Sequence, residues 1–136
     1  MSWVWLDGIE AVEKSRRIEA WKDWDGLFPP AYLIEMMAQA GAVLLGLESD
    51  FQDDIVFTKI ENVEFSARAE NRKRLKIEVT PDGLRREGGW FQGRIFQEGK
   101  KIAEGRVLLM NIGRLQPDST GPVTFPKQLL EKIGAQ

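Results

Sequence analysis

The sequence contains neither cysteine nor histidine among its 136 residues. The missing cysteine excludes disulfides, thiolate nucleophiles and zinc–thiolate sites. The missing histidine excludes a serine–histidine–aspartate triad, any histidine-ligated metal, and imidazole as a general acid or base. The composition therefore predicts no metal site, and we expect no bound cofactor.

No charge of one sign dominates, because 19 Lys and Arg residues stand against 21 Asp and Glu residues, for a net charge of −2. A nucleic-acid-binding domain usually carries a clear basic excess, so nucleic acid is not an expected partner. The balance of 43% hydrophobic and 29% charged residues is typical of a soluble globular protein. The length corresponds to one domain.

No stretch resembles a targeting or membrane segment. The first residues lack a basic region and include the acidic Asp7. The longest apolar stretch, residues 31–47, is interrupted by Glu35 and Gln39 and is too short to span a bilayer comfortably. We therefore expect a cytoplasmic protein that does not bind membranes.

Hydrophobic periodicity predicts strands before and after a single helix. A turn at residues 13–15 separates the first two strands, 3–12 and 16–21, and Pro29 and Pro30 precede a helix over 31–45 that stops at Gly46. Four further strands are predicted, at 55–67, 75–80, 90–97 and 101–110. Residues 81–83, Pro-Asp-Gly, are typical of a turn, and residues 98–100 predict a hairpin.

The predicted helix is apolar on nearly all sides, which indicates burial on most sides. In so short a chain, only the strands can surround it. The sequence therefore predicts an α+β fold in which a curved antiparallel sheet wraps one long central helix. We expect residues 1–113 to form this domain, with 114–136 adding a proline-rich loop and a short helix over 127–133.

Glu35 is the most informative residue of the helix. Glu35 and Gln39 are four residues apart and share a face. A carboxylate in apolar surroundings is harder to ionise, a property that suits a general acid or base near neutral pH. Two alternatives are that this face touches solvent, or that Arg94 or Arg106 pairs with Glu35.

Residues 28–39, FPPAYLIEMMAQ, resemble the H-F-P-G-x-P-x-x-P-G-V-L-x-x-E-A-M-A-Q segment of the hotdog-fold 3-hydroxyacyl-acyl-carrier-protein dehydratases. The resemblance extends over roughly residues 3 to 112 and includes segments 6–10, 57–65, 75–79, 89–93 and 100–105. It implies a hotdog fold and a homodimer or higher oligomer with active sites at the protomer interface. It also implies acyl thioesters, carried by acyl carrier protein or coenzyme A, as the molecules bound.

By this resemblance, Glu35 matches the family's catalytic carboxylate and Gln39 the glutamine that follows it. The family dehydrates 3-hydroxyacyl thioesters with a histidine, the glutamate and a backbone N–H at the helix start. Here the histidine is absent: an ungapped comparison puts Trp21 at its position, and another comparison indicates that the histidine-bearing loop is shortened. Pro30 replaces the glycine that supplies the N–H, which leaves Ala31 as a displaced donor. The expected substrate-binding residues are Gln39, Phe28, Pro30, Ala31 and Trp21.

Asp23 and Asp25 lie in the shortened loop, and either carboxylate could face Glu35 of a partner chain as the second half of an acid/base pair. A capping turn before the helix explains the same residues. Basic residues cluster between two strands, where they could meet an acidic carrier protein or coenzyme A phosphates, or simply form a solvated loop. They are Arg68, Arg72, Lys73 and Arg74.

Three hypotheses follow. The first is a dehydratase-like enzyme in which Glu35 is the acid/base. The second is an acyl-CoA thioesterase on the same fold, assisted by Asp23 or Asp25. The third is a catalytically inactive hotdog subunit that binds acyl thioesters or pairs with an active homologue.

Overall fold

The computed structural model describes residues 6–26 and 29–113. It contains one helix and six strands: β1 (Gly8–Glu13), β2 (Arg17–Trp24), α1 (Ala31–Glu48), β3 (Asp54–Phe65), β4 (Lys73–Arg85), β5 (Gly88–Gln97) and β6 (Lys100–Gly113). All strand pairs are antiparallel, in the order β1-β2-β4-β5-β6-β3. The predicted α+β architecture is confirmed. The helix expected over 127–133 lies outside the described residues.

Helix α1 fills the concave side of the sheet. Every residue from Met36 to Gly46 is buried, as its apolar circumference predicts. The helix continues two residues past Gly46, where a stop was expected, and ends at Glu48, because the chain turns only at Ser49, whose N–H donates to the Gly46 carbonyl. The helix is long and apolar enough to cross a membrane, but a buried core helix passes the same test, and 67% of this one is buried.

The sheet presents alternate residues to the helix. Along β4 and β5 these inward rows are fully buried and consist of Leu75, Ile77 and Val79, and of Phe91, Gly93 and Ile95. Their neighbours on the outer face are at least partly exposed, and several of them, including Lys76, Glu78 and Arg94, are charged. This alternation separates a dry interior around α1 from a charged convex surface.

The predicted turn at residues 81–83 is wrong, because this segment continues β4. Pro81 pairs with Phe91, and the chain turns only after Arg85. The pairing of β2 with β4 ends at Val79, so Pro81 lies where β4 has no neighbour on that side and needs no N–H. Gly83, at φ +76°, falls within a register shift that bulges the strand.

Among the described residues, strand β3 forms one edge of the sheet and pairs only with β6. After Ile55, all of its residues are at least partly exposed. Four apolar side chains on it are 37–47% exposed: Val56, Phe57, Ile60 and Phe65. An unpaired edge that carries apolar side chains is a surface on which another chain can add a strand.

The helix approaches the sheet closely at Gly93, and we predict that Gly93→Ala destabilises the fold. A Cβ there would lie 2.6 Å from Met37 Cγ and 2.9 Å from Met37 Cβ. Such overpacking costs about 1–3 kcal/mol in the free energy of unfolding, measurable by denaturant titration. In a Met37→Ala background, Gly93→Ala should cost clearly less. Equal costs in both backgrounds would contradict the contact.

Candidate functional site

A groove of about 510 Å³ opens beside the start of α1. One side is formed by the end of β2 and the first helical turn. The other is formed by the end of β3 and by residues 66–72, the connection to β4, which we call the wall segment. The lining residues are Trp24, Gly26, Pro30, Leu33, Phe65, Ser66, Ala67, Arg68 and Ala69. Most of this lining is apolar, as a site for an acyl chain requires.

The first helical turn supplies backbone donors next to this groove. Pro30 is the N-cap, and no side chain caps the helix there. The N–H groups of Tyr32 and Leu33 donate to the carbonyls of Pro29 and Pro30, at 3.0 and 2.9 Å. The Ala31 N–H has no acceptor among residues 6–26 and 29–113. It lies at the positive end of the helix dipole and is available to an anionic or carbonyl oxygen.

Glu35 is exposed, so the expected burial of its carboxylate is wrong for a single protomer. The following residues, Met36 and Met37, face the sheet, whereas Glu35 lies on the outward side of the first turns. Arg94 is bound to Glu78, so it does not pair with Glu35. Gln39, by contrast, is only 4% exposed. Of the two alternatives considered for Glu35, contact with solvent and pairing with an arginine, the single protomer shows contact with solvent.

Arg106 is likewise unavailable to Glu35. Its guanidinium bonds Glu61 at 2.6 Å and Asp82 at 2.9 Å, and lies 4.8 Å from the centre of the Trp90 ring. This cluster lies on the outer face of the sheet. Among the described residues, neither Arg94 nor Arg106 therefore pairs with Glu35.

Trp21 and Asp23 also lie on the outer face of the sheet, away from the helix. Alternate residues of β2, including Ala20 and Trp24, are buried, which turns Trp21 and Asp23 outward. Arg74 stacks on the Trp21 ring at 3.8 Å and donates to Asp23 at 2.9 Å. This hydrogen bond lowers the pKa of Asp23. The placement of Asp23 in a loop is wrong, since it belongs to β2.

Asp25 is the better placed of the two aspartates. It is exposed and follows β2 directly, between Trp24 and Gly26, both of which line the groove. The expected binding residues Pro30 and Ala31 lie at or beside the groove. Phe28 lies outside the described residues.

The basic cluster divides into paired and unpaired members. Lys73 bonds Glu70 and Glu98 at 3.1 and 2.9 Å, and Arg74 is held by Asp23. Arg68 is exposed, lines the groove and forms no ion pair within the described part of the chain. Arg68 is therefore the member of the cluster with a charge free to meet a ligand at this groove.

Sequence reasoning missed most of the groove. In the sequence, Trp24 and Leu33 are indistinguishable from ordinary core residues, and Ala67 and Ala69 have no functional group that would indicate a binding site. One polar residue could have drawn notice: Gln97 follows Ile95 in the inward-facing row of β5, where an apolar side chain is expected.

The sequence is similar to those of known dehydratases. No protein-family model matches the sequence. The 3-hydroxyacyl-acyl-carrier-protein dehydratase FabZ of Magnetococcus marinus is 33% identical over 121 residues, which cover 77% of this chain and 79% of that protein. The chain belongs to the FabZ dehydratase family. FabZ of Clostridium kluyveri is 27% identical over 119 residues, covering 77% of this chain and 83% of that protein.

Solved structures confirm the hotdog fold. A protein of the dehydratase heterocomplex ApeI:P from Xenorhabdus doucetiae superposes with a TM-score of 0.72 at 20% identity, covering 85% of this chain and 87% of that chain. A hypothetical thioesterase from Streptococcus pneumoniae, solved with coenzyme A, has a TM-score of 0.64 at 11% identity, covering 78% and 88%. At such low identity these likenesses establish the fold alone.

The position of Asp23 predicts that Asp23→Asn changes ligand affinity by less than about twofold, because a surface substitution away from a site has little effect. It should slightly lower the melting temperature at neutral pH. The pKa of Asp23 lies below its ordinary value of 3.8, so the ionised form stabilises the fold above that pH, and this contribution is lost as the pH falls through the lowered value. Calorimetry from neutral to acid pH should show the difference from the wild type disappear. A large loss of acyl-CoA affinity would instead place Asp23 in the site.

Proposed function

We propose that the chain is an acyl-thioester-binding hotdog protein of the dehydratase type, which converts 3-hydroxyacyl thioesters to trans-2-enoyl thioesters. The observation that carries this proposal is the apolar groove beside an uncapped helix start, where the Ala31 N–H has no acceptor within the described part of the chain. Membership of the FabZ family supports the substrate class. The carrier is acyl carrier protein or coenzyme A, and we expect the protein to act in the cytoplasm.

The groove suggests how the substrate binds. The acyl chain lies against Trp24, Leu33 and Phe65, which are apolar and line the groove. The thioester oxygen accepts a hydrogen bond from the Ala31 N–H, where the helix dipole stabilises developing negative charge. Arg68 lies where its guanidinium can bind a phosphate of the carrier arm.

Dehydration requires a base that removes the C2 proton and an acid that protonates the departing C3 hydroxyl. The C2–C3 double bond forms as the C3–O bond breaks, and water leaves. With no histidine in the sequence, the groups proposed for these roles are the Glu35 and Asp25 carboxylates. Gln39, buried behind Glu35 on the same helix face, is proposed to help position the substrate.

A second protomer is proposed to complete the site. Phe65 both lines the groove and belongs to the exposed apolar set on edge strand β3. A chain that adds to this edge would therefore cover one end of the groove and bring its own side chains towards it. We propose a homodimer formed in this way, in which Glu35 is no longer open to bulk solvent.

Turnover of a short 3-hydroxyacyl-CoA tests the activity. We predict formation of the enoyl thioester, followed by its ultraviolet absorbance, and a loss of about 100-fold or more in Glu35→Gln, the size expected for removal of a general acid or base. Glu87→Gln, in the exposed β4–β5 turn, is the matched control and should retain activity. Equal activity of wild type and Glu35→Gln would contradict the role of Glu35.

Two further outcomes of this assay correspond to the other candidates. Release of thiol without enoyl product would identify a thioesterase, as in the S. pneumoniae neighbour that bears that description. Binding of acyl-CoA with neither product would favour a subunit that pairs with a histidine-bearing homologue. The missing histidine and the heterocomplex among the structural neighbours favour the pairing subunit over the thioesterase.

Arg68 provides a separate test of the carrier-arm contact. We predict that Arg68→Gln weakens binding of an acyl-CoA by about 5- to 20-fold, since a charge-assisted hydrogen bond is worth about 1.5–3 kcal/mol when buried and less when exposed. Binding of the matching S-acyl-pantetheine, which has no phosphate, should not change. Arg72→Gln is the control, because Arg72 belongs to the same wall segment without lining the groove. Equal weakening for both ligands would contradict a phosphate contact.

A further inference from the structure

A buried amide lies behind the wall of the groove. Gln97 ends strand β5, faces inward and is only 5% exposed. Burying an amide among apolar side chains costs free energy unless its polar atoms are bonded. The partners of this amide therefore indicate why a polar residue occupies the position.

Both polar atoms of the Gln97 amide bond to the backbone at the end of the wall segment. Its Oε1 accepts from the Glu70 N–H at 2.6 Å, and its Nε2 donates to the carbonyls of Glu70 at 2.9 Å and Lys73 at 3.2 Å. The amide thus bonds both backbone groups of Glu70, as a neighbouring strand would. Glu70 precedes β4 and itself belongs to no strand.

Other bonds fix the remaining parts of the wall segment. At its start, Ser66 donates to Ile102 through its N–H, at 2.8 Å, and to Lys101 through its hydroxyl, at 3.1 Å. At its end, the Arg72 N–H donates to Trp24 at 2.7 Å. Between these anchors lie residues 67–69, which line the groove, and Gln97 holds the chain immediately after them.

We propose that Gln97 is a positioning residue for ligand binding, which holds residues 67–69 as a preformed wall of the groove. This inference rests on the proposed function, since it assigns the groove to acyl thioesters. A wall that is ordered before binding spares the ligand the cost of ordering it. Gln97 does not line the groove itself. It acts through its hydrogen bonds to the Glu70 backbone.

The chemistry of the contact calls for a glutamine. A carboxylate at this position accepts from the Glu70 N–H but offers no donor to the two carbonyls. An apolar side chain of equal length leaves the Glu70 N–H and both carbonyls without this partner. These two substitutions therefore remove the contact by different chemistry with little change in volume.

The test compares Gln97→Met and Gln97→Glu with Gln92→Met. Gln92 lies on the same strand, and its Nε2 bonds Gly105 and Glu104 at 3.3 and 3.4 Å, away from the groove. For each protein, calorimetry measures the Kd of butyryl-CoA, and hydrogen–deuterium exchange measures the amides of residues 66–72 and of the β5 core.

For Gln97→Met we expect Kd to rise about tenfold and exchange at Glu70 to accelerate by at least as much, with the β5 core amides unchanged. Gln97→Glu turns a carboxylate oxygen towards the two carbonyls and should loosen the wall at least as much. Gln97→Asn, whose amide is one methylene shorter and reaches fewer of these groups, is measured in the same way; it should show a smaller loosening and keeps the proposal testable if the other two variants do not fold. Gln92→Met should match the wild type in both measurements.

Faster exchange at Glu70 with an unchanged Kd would overturn the inference, because the wall would then be held by Gln97 without serving the ligand. Unchanged exchange would overturn it as well. Absence of butyryl-CoA binding in the wild-type protein would instead refute the proposed function, while accelerated exchange in Gln97→Met would still support the holding of the wall.

Discussion

The fold depends on the enclosure of a helix that has almost no polar side. From Met36 to Gly46 every residue of α1 is buried, so the sheet must curve until its inward rows surround that segment. Gly41 and Gly93 allow this close approach: a Cβ at Gly41 would lie 2.7 Å from the Leu109 side chain, and one at Gly93 would meet Met37. Burial of this apolar surface is the main favourable term in folding, and the remaining features follow from where the enclosure ends.

The enclosure ends at the first helical turns, and the groove forms there. Residues 31–35 precede the fully buried part of the helix. Pro30 and Leu33 therefore face the wall segment across the groove, and Glu35 is exposed to solvent. One helix thus serves two purposes, because its apolar body forms the core while its uncapped start presents a backbone donor at the surface.

Local sequence signals predicted the parts of the fold that depend on local structure. The helix and the strands follow from periodicity, because burial on one or more sides leaves a mark on every residue of an element. The exposure of Glu35 and the place of Asp23 in a strand could not be predicted, since they depend on where the sheet stops covering its neighbours. The basic residues of the wall segment were noticed, but its support by Gln97 was missed for the same reason: Glu70 and Gln97 are 27 residues apart, and no local pattern links them.

Under the proposed function, the missing histidine makes the reaction depend on which chain pairs with this one. Within its described residues, a single protomer offers an apolar groove, a backbone N–H without an acceptor and a cation, which are the groups proposed to bind an acyl thioester. Asp23 cannot serve as the second proton-transfer group, since it is bound to Arg74 on the far face of the sheet, which leaves the Asp25 carboxylate as the proposed partner of Glu35. The groove continues to Phe65 on edge strand β3, so whatever chain adds to that edge also determines which groups face the ligand. Under the proposed function, binding therefore depends on the fold of one protomer, whereas the reaction depends on the chain that pairs with it.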